Sequence, residues 1–289
     1  MGGEGARSGG PAGPGPGADV MQVAFSTLST PHWSLETVAE RAALLGFPAV
    51  EICAGQPGGL DPEASPERCA EVRRQFAGDG VAICALSSGC RLAGHGADPL
   101  GATGAEVRRW LDVAAAIGAP VLGVFGGECP DPPADGEALA QVADALSGLA
   151  EAARAAGVRL ALETHGGFGA ASRVGRVLAQ VDDPWIGACW DWLDTVAAEE
   201  SPAASARHLQ GRILHVHAKD AVRDAHGGWG AEHFGRGVLP LGDLYRELVA
   251  AEFDGALSLE WERADDPDPG AALRWYRQAA GALLGSLRR

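Results

Sequence analysis

Arg212-Ile-Leu-His-Val-His-Ala-Lys-Asp220 reads as a short buried strand that ends in polar groups able to bind a metal. Three other runs have the same form. Val158-Arg-Leu-Ala-Leu-Glu163 ends in a carboxylate and continues into Thr164 and His165. Ile186-Gly-Ala-Cys-Trp-Asp191 ends in another, and Ala256-Leu-Ser-Leu-Glu260 in a third, with Glu262 two residues further on. Apolar, β-prone runs of this length suit strands buried on both faces, as in a parallel sheet.

Outward from these four runs, strand-like and helix-like segments alternate along the chain. Met21–Ser26, Ala49–Cys53, Val81–Ser87 and Pro120–Phe125 are the earlier predicted strands. The predicted helices are Ser34–Leu45, Ser65–Gly78, Thr103–Ile117, Glu137–Ala156, Ser172–Val181, Thr195–Gln210, Leu241–Glu252 and Pro269–Leu287. Several open on Ser, with Pro66 inside the second, and several close on Gly, the usual start and stop chemistry. Eight strand-then-helix units imply an α/β fold closed into a (β/α)8 TIM barrel. An open doubly wound sheet would bring a glycine-rich turn after its first strand, and Ser26-Thr-Leu-Ser-Thr is not one. Residues 1–19 are Gly, Pro, Ala and Ser with few large apolar groups, so a disordered tail is expected there and a single barrel domain over 20–289. The connection Ala218–Pro240 is expected to carry no regular structure, a length usually associated with function.

The 289 residues carry 23 Lys and Arg against 38 Asp and Glu, a formal charge of −15. That balance disfavours a nucleic-acid partner, and no apolar run is long enough to span a membrane. Six cysteines with no C-x-x-C pair, and no signal peptide, point to free thiols in a reducing cytoplasm.

Side chains alternate between the faces of a strand. If Glu163 faces the barrel axis, so do Ala161 and Arg159. Asp191 brings Cys189 and Gly187 inward, and His217 and Glu260 leave Leu214, Val216, Leu257, Leu259 and Trp261 facing the helices. One parity per strand thus aims Glu163, Asp191, His217 and Glu260 at one axis. Three converging carboxylates repel unless protonated or bridged by a cation. Mixed carboxylate and imidazole donors suit one divalent metal, Mn²⁺, Mg²⁺ or Co²⁺, with Zn²⁺ possible. By these residues alone, His215 is an interior histidine, His165 faces the site, Glu262 sits nearer the rim, and Glu51 ends its strand near the barrel mouth. Lys219 and Asp220 are either a surface ion pair or, through Lys219, a donor to substrate.

From Met21 onward the chain resembles the sugar phosphate isomerase/epimerase family, the xylose isomerase-like TIM barrels. The resemblance rests on Leu162-Glu163-Thr-His165, Trp190-Asp191, His215-Val-His217-Ala-Lys-Asp220 and Leu259-Glu260-Trp-Glu262. It implies Glu163, Asp191, His217 and Glu260 as metal ligands, with Glu163 and Glu260 also moving the substrate proton. It implies Arg223, six residues after the ligand histidine, as a substrate contact, a small sugar or polyol as substrate, and a homodimer or homotetramer. From the residues themselves, His165, Lys219 and Glu262 are the further candidates for substrate contact, with His165 otherwise supporting Glu163 and Glu262 otherwise a solvated or supporting group. The implied reaction is metal-dependent, manganese-type isomerisation or epimerisation by proton abstraction next to a carbonyl. An inosose dehydratase-like lyase is the runner-up, with an endonuclease IV-type nuclease or a sugar-binding barrel behind it. The family's epimerases place a histidine three residues after the aspartate, where this chain has Asp194, and a glutamate six after the first glutamate, where it has Gly169. The His-Ala-Lys-Asp form is closer to the dehydratase-like branch.

Overall fold

The computed structural model describes residues 21–55, 59–94, 98, 101–130, 135–263 and 266–287. The expected tail over 1–19 lies outside them. Eight parallel strands close into a barrel: β1 (Gln22–Ser26), β2 (Ala49–Cys53), β3 (Ala82–Ala93), β4 (Val121–Gly127), β5 (Arg159–Glu163), β6 (Ile186–Asp191), β7 (Ile213–Ala218) and, after a two-stranded hairpin of β8 (Ala221–Arg223) with β9 (Trp229–Ala231), β10 (Ala256–Leu259). Each barrel strand pairs with its neighbour in chain order, and β10 returns to pair with β1. Around the barrel lie α1 (Leu35–Leu45), α2 (Pro66–Gly78), α3 (Ala102–Ile117), α4 (Asp135–Ala156), α5 (Ala171–Val181), α6 (Trp192–Ala197), α7 (Pro202–Leu209), α8 (Leu241–Ala250) and α9 (Pro269–Leu287). Among the described residues no helix is long and apolar enough to cross a membrane.

The local chemistry is the expected one. Ser34, Ser65 and Ser201 accept the backbone N–H of Thr37, Arg68 and Ala204 at the starts of α1, α2 and α7. Gly46 and Gly118 end α1 and α3 in the left-handed region, φ 74° and 84°. The single helix expected over Thr195–Gln210 is instead two. Glu199 turns left-handed at φ 61°, and Pro202, which has no N–H to continue a helix, starts α7 behind its Ser201 cap.

Most of the apolar core lies between strands and helices, with Leu160, Leu162, Ile186, Trp190, Val216, Leu257 and Leu259 all in it. A second, small cluster of Ala85, Val121, Ala161, Cys189 and Leu214 fills the barrel interior. Leu214 was expected on the outer face. The β6–β7 register slips between Ala188 and Cys189, whose partners are Ile213 and His215, so Leu214 is an extra residue in a bulge. The bulge lets Leu214 pack inside over Gly187, where a Cβ would lie 2.6 Å from its Cγ. His215 and His217 then follow, also inside.

All six cysteines are free thiols. Burial pushes Cys90 up to about 11, so it stays protonated near neutrality.

Candidate metal centre

The upper barrel interior is polar. Glu163 closes β5, Asp191 closes β6, His217 lies one residue from the end of β7, and Glu260 follows β10. Donor atoms of these four buried residues all lie within 4.8 Å of one another. His217 Nδ1 is 3.3 Å from Glu163 Oε1, 3.5 Å from Glu260 Oε2 and 3.9 Å from Asp191 Oδ2. All four therefore face the barrel axis as expected, and on β7 the parity resumes after the bulge at Leu214.

Neighbouring groups orient each donor. Thr164 Oγ1 accepts the Asp191 backbone N–H at 2.8 Å. Asp191 also caps α6, its Oδ1 accepting the Asp194 N–H at 3.0 Å, which leaves Oδ2 turned to the centre. Ser29 Oγ accepts from Trp261 N at 2.9 Å and donates to Leu259 O at 3.2 Å, holding the chain on both sides of Glu260.

His217 is fixed from its other ring nitrogen. Nε2 lies 3.0 Å from Glu51 Oε1, while Glu51 Oε2 accepts from Ser258 Oγ at 2.8 Å and lies 3.2 Å from His215 Nε2. Glu51 sits mid-strand in β2 and is buried, deeper than the mouth position read from sequence. The only sequence sign of its role is a carboxylate inside an apolar strand. Burial pushes Glu51 up, but the His217 and His215 rings outweigh it and hold the carboxyl well below its usual range. With an anion at Nε2, His217 presents Nδ1 to the three other carboxylates.

Lys219 is buried, not a surface group. Its Nζ lies 2.8 Å from Asp191 Oδ2, 2.8 Å from Glu260 Oε2 and 2.5 Å from Glu262 Oε1. Burial pulls the ammonium down, yet those carboxylates hold it well above the ordinary lysine value. Burial would raise Glu260, but His217 and Lys219 keep it low. Glu163, farther from that ammonium, is pushed by burial up to about 7. Asp220 is not the partner of Lys219: its two oxygens accept the N–H groups of Ala221, Gly235, Gly237 and Leu239.

The remaining expected contacts divide. His165 Nδ1 is 3.7 Å from Glu163 Oε1 and 3.6 Å from Asp194 Oδ2, at the edge of the centre. The Asp194 carboxylate beside it raises the imidazole. Glu262 reaches the centre only through Lys219 and is half exposed. Arg223 is committed to the hairpin, its guanidinium 3.9 Å from the Trp229 ring centroid and its Nη1 donating to Gly227 O at 2.7 Å. The two departures from the epimerase pattern are neighbours in space: a Cβ on Gly169 would lie 3.4 Å from Asp194 Oδ1.

The donor set fits a divalent cation. His217 Nδ1 is buried with no hydrogen-bond partner, and it faces three carboxylates. Cys189 lies within reach of Glu163 and His217, a second group of donors that shares two residues with the first.

The family profile described as xylose isomerase-like TIM barrel matches residues 39–280. No curated protein sequence matches the chain. Among solved structures, the IOLI protein with a bound zinc atom is similar at TM-score 0.80 and 16% identity, over 92% of this chain and 99% of that one. L-ribulose 3-epimerase is similar at TM-score 0.74 and 20% identity, over 93% and 96%. The probable 3-DHS dehydratase AsbF of Bacillus anthracis is similar at TM-score 0.73 and 17% identity, over 93% and 99%. At these identities the structural likeness is one of fold.

Proposed function

The chain belongs to the xylose isomerase-like TIM barrel family, and from that premise we propose that it is a divalent-metal-dependent isomerase or epimerase of a polyhydroxy carbonyl compound. The observation that carries this reading is the convergence of Glu163, Asp191, His217 Nδ1 and Glu260 within 4.8 Å. These four hold the metal, with Mn²⁺, Mg²⁺ or Co²⁺ the natural occupants and Zn²⁺ the alternative. The metal, when bound, supplies Lewis acidity toward the substrate's oxygens.

The chain's own residues do the rest. Glu163 Oε1 and Glu260 Oε2 lie 3.3 and 3.5 Å from His217 Nδ1. One takes the proton from the carbon next to the carbonyl and the other returns it. His165 and Lys219 stand beside these carboxylates and contact substrate oxygens. Glu262 holds Lys219 from the rim, and Arg223 contributes from the hairpin. The structural neighbours that are sugar 3-epimerases support the sugar class and the reaction type.

A dehydratase is the second reading, favoured by one observation. Asp194 and Gly169 occupy adjoining space where the epimerases have histidine and glutamate, so the two departures make one altered wall. The same first proton abstraction followed by loss of hydroxide gives the lyase.

The test is solvent-deuterium exchange into ketoses and inososes by the Mn²⁺-loaded protein. Glu163→Gln and Glu260→Gln are each expected to lower exchange at least 100-fold. Exchange at the wild-type rate in either variant removes that residue from the mechanism. A lighter dehydrated product identifies the lyase.

A further inference from the structure

We propose that Arg91 is the anion-recognition group of this site and that the substrate is a sugar acid, a polyhydroxy carbonyl compound with a carboxylate at the end remote from the metal-binding oxygens. The inference rests on the functional reading above and narrows its substrate.

The backbone of β3 is built to place Arg91. Ser87 pairs with Gly123 of β4, but the next partners are Arg91 and Phe125, so four residues of β3 advance against two of β4. The extra residues form a bulge around Gly89, left-handed at φ 73°. The bulge is pinned by Ser88 Oγ, which donates to Gly123 O at 2.8 Å and accepts the Cys90 N–H at 3.2 Å. Bulges beside active sites re-aim side chains, and this one puts Arg91 level with the metal donors. Register partners in a parallel sheet share a facing. Gly123 pairs with Ala161, which is in the interior cluster, and Phe125 pairs with Glu163. Arg91, Phe125 and Glu163 are therefore three inward positions on one rung, with Arg91 about 10 Å along the sheet from Glu163.

Contacts bear this out. The Arg91 guanidinium lies 5.8 Å from the Phe125 ring centroid. The Phe125 ring is 4.8 Å from that of His165, whose Nδ1 is 3.7 Å from Glu163 Oε1. Arg91 faces inward yet is exposed, so it stands in the open mouth.

The charge around it decides the ligand. Among the described residues Arg91 has no hydrogen bond or ion pair, only the ring contact with Phe125. The neighbouring cations already face carboxylates: Lys219 is paired with Asp191, Glu260 and Glu262, and His165 stands 3.6 and 3.7 Å from Asp194 and Glu163. A mouth lined by carboxylates repels an acid unless a cation stands where the acid lands. One planar guanidinium meets one planar carboxylate through two parallel hydrogen bonds. A phosphate dianion would call for more donors than this rung offers.

Matched probes test it: D-fructose, D-fructuronate (the same ketose with a terminal carboxylate) and D-fructose 6-phosphate, with D-tagatose and D-tagaturonate as a second matched pair. Each is titrated by calorimetry into the Mn²⁺-loaded full chain. At least one uronate is expected to bind tenfold or more tightly than its parent ketose and more tightly than the phosphate ester. In Arg91→Met that preference should fall to within twofold, with Mn²⁺ affinity retained. Ketoses that bind as well as both uronates overturn the proposal. So does tighter binding of the phosphate ester, or a preference that survives Arg91→Met. Failure of the wild type to bind Mn²⁺, or to bind any of these compounds, refutes the functional reading itself and the inference with it.

Discussion

At the scale of single residues, His217 shows how a ring nitrogen is assigned its task. An imidazole offers two nitrogens, and a buried carboxylate at one settles which is left for the other side. Glu51 Oε1 stands 3.0 Å from Nε2, and the second Glu51 oxygen is itself held by Ser258 at 2.8 Å. Glu51→Gln keeps the volume but removes the anion, so His217 loses both its orientation and part of its basicity. Mn²⁺ affinity by calorimetry is expected to fall about 10–100-fold in that variant, with the far-ultraviolet circular dichroism of the wild type retained. Wild-type affinity would mean that packing alone orients the ring. The four side chains that converge here were legible in the sequence because each stands at or beside the end of an apolar strand run. Glu51 was not, because a lone carboxylate inside Ala-Val-Glu-Ile-Cys carries no mark of the two histidines on β7 that it meets. Of the two readings of Lys219, its burial removes the surface ion pair, and its carboxylate partners were not legible for the same reason: nothing in the chain order places it beside Asp191 and Glu260, and only closure of the barrel does.

At the scale of elements, strand and helix positions followed from periodicity, and the exceptions share a cause. Strand bulges and the folding of a long connection depend on hydrogen bonds between distant segments, which no local pattern encodes. β3 runs on to Ala93 where Ser87 was the expected end, because the bulge at Ser88–Cys90 lets it resume pairing with β4. The connection after β7, expected to lack regular structure, contains the β8–β9 hairpin and is gathered by Asp220, whose carboxylate accepts four backbone N–H groups. Gly237 is required there, since a Cβ would fall 2.1 Å from Asp220 Oδ1. Asp220→Ala strands those donors. Stability in urea is expected to drop by about 2 kcal/mol or more, with faster amide exchange over residues 221–240. A variant that melts and exchanges like the wild type would show that the hairpin holds the connection unaided.

At the scale of the whole molecule, the four proposed ligands are spread from residue 163 to residue 260 and meet only when the barrel is closed. A cation held by them binds the folded chain and has no comparable site on the unfolded one, so occupancy stabilises the fold by mass action. At a free concentration 100 times the dissociation constant, the gain is about 2.7 kcal/mol. For a chain of this size that raises the melting temperature by about 4–5 °C. The protein already has one cation in the cluster, the Lys219 ammonium between Asp191 and Glu260. Metal binding competes with those ion pairs, but the dissociation constant already contains the cost, so the predicted shift at a fixed multiple of it stands. Melting is measured in chelator and then with Mn²⁺, Co²⁺, Mg²⁺ or Zn²⁺ added in excess. A rise that saturates with one of these metals and reverses with chelator is expected. Identical melting under all of them would mean that Lys219 is the only cation this barrel closes around, and the metal-dependent chemistry would have to be abandoned.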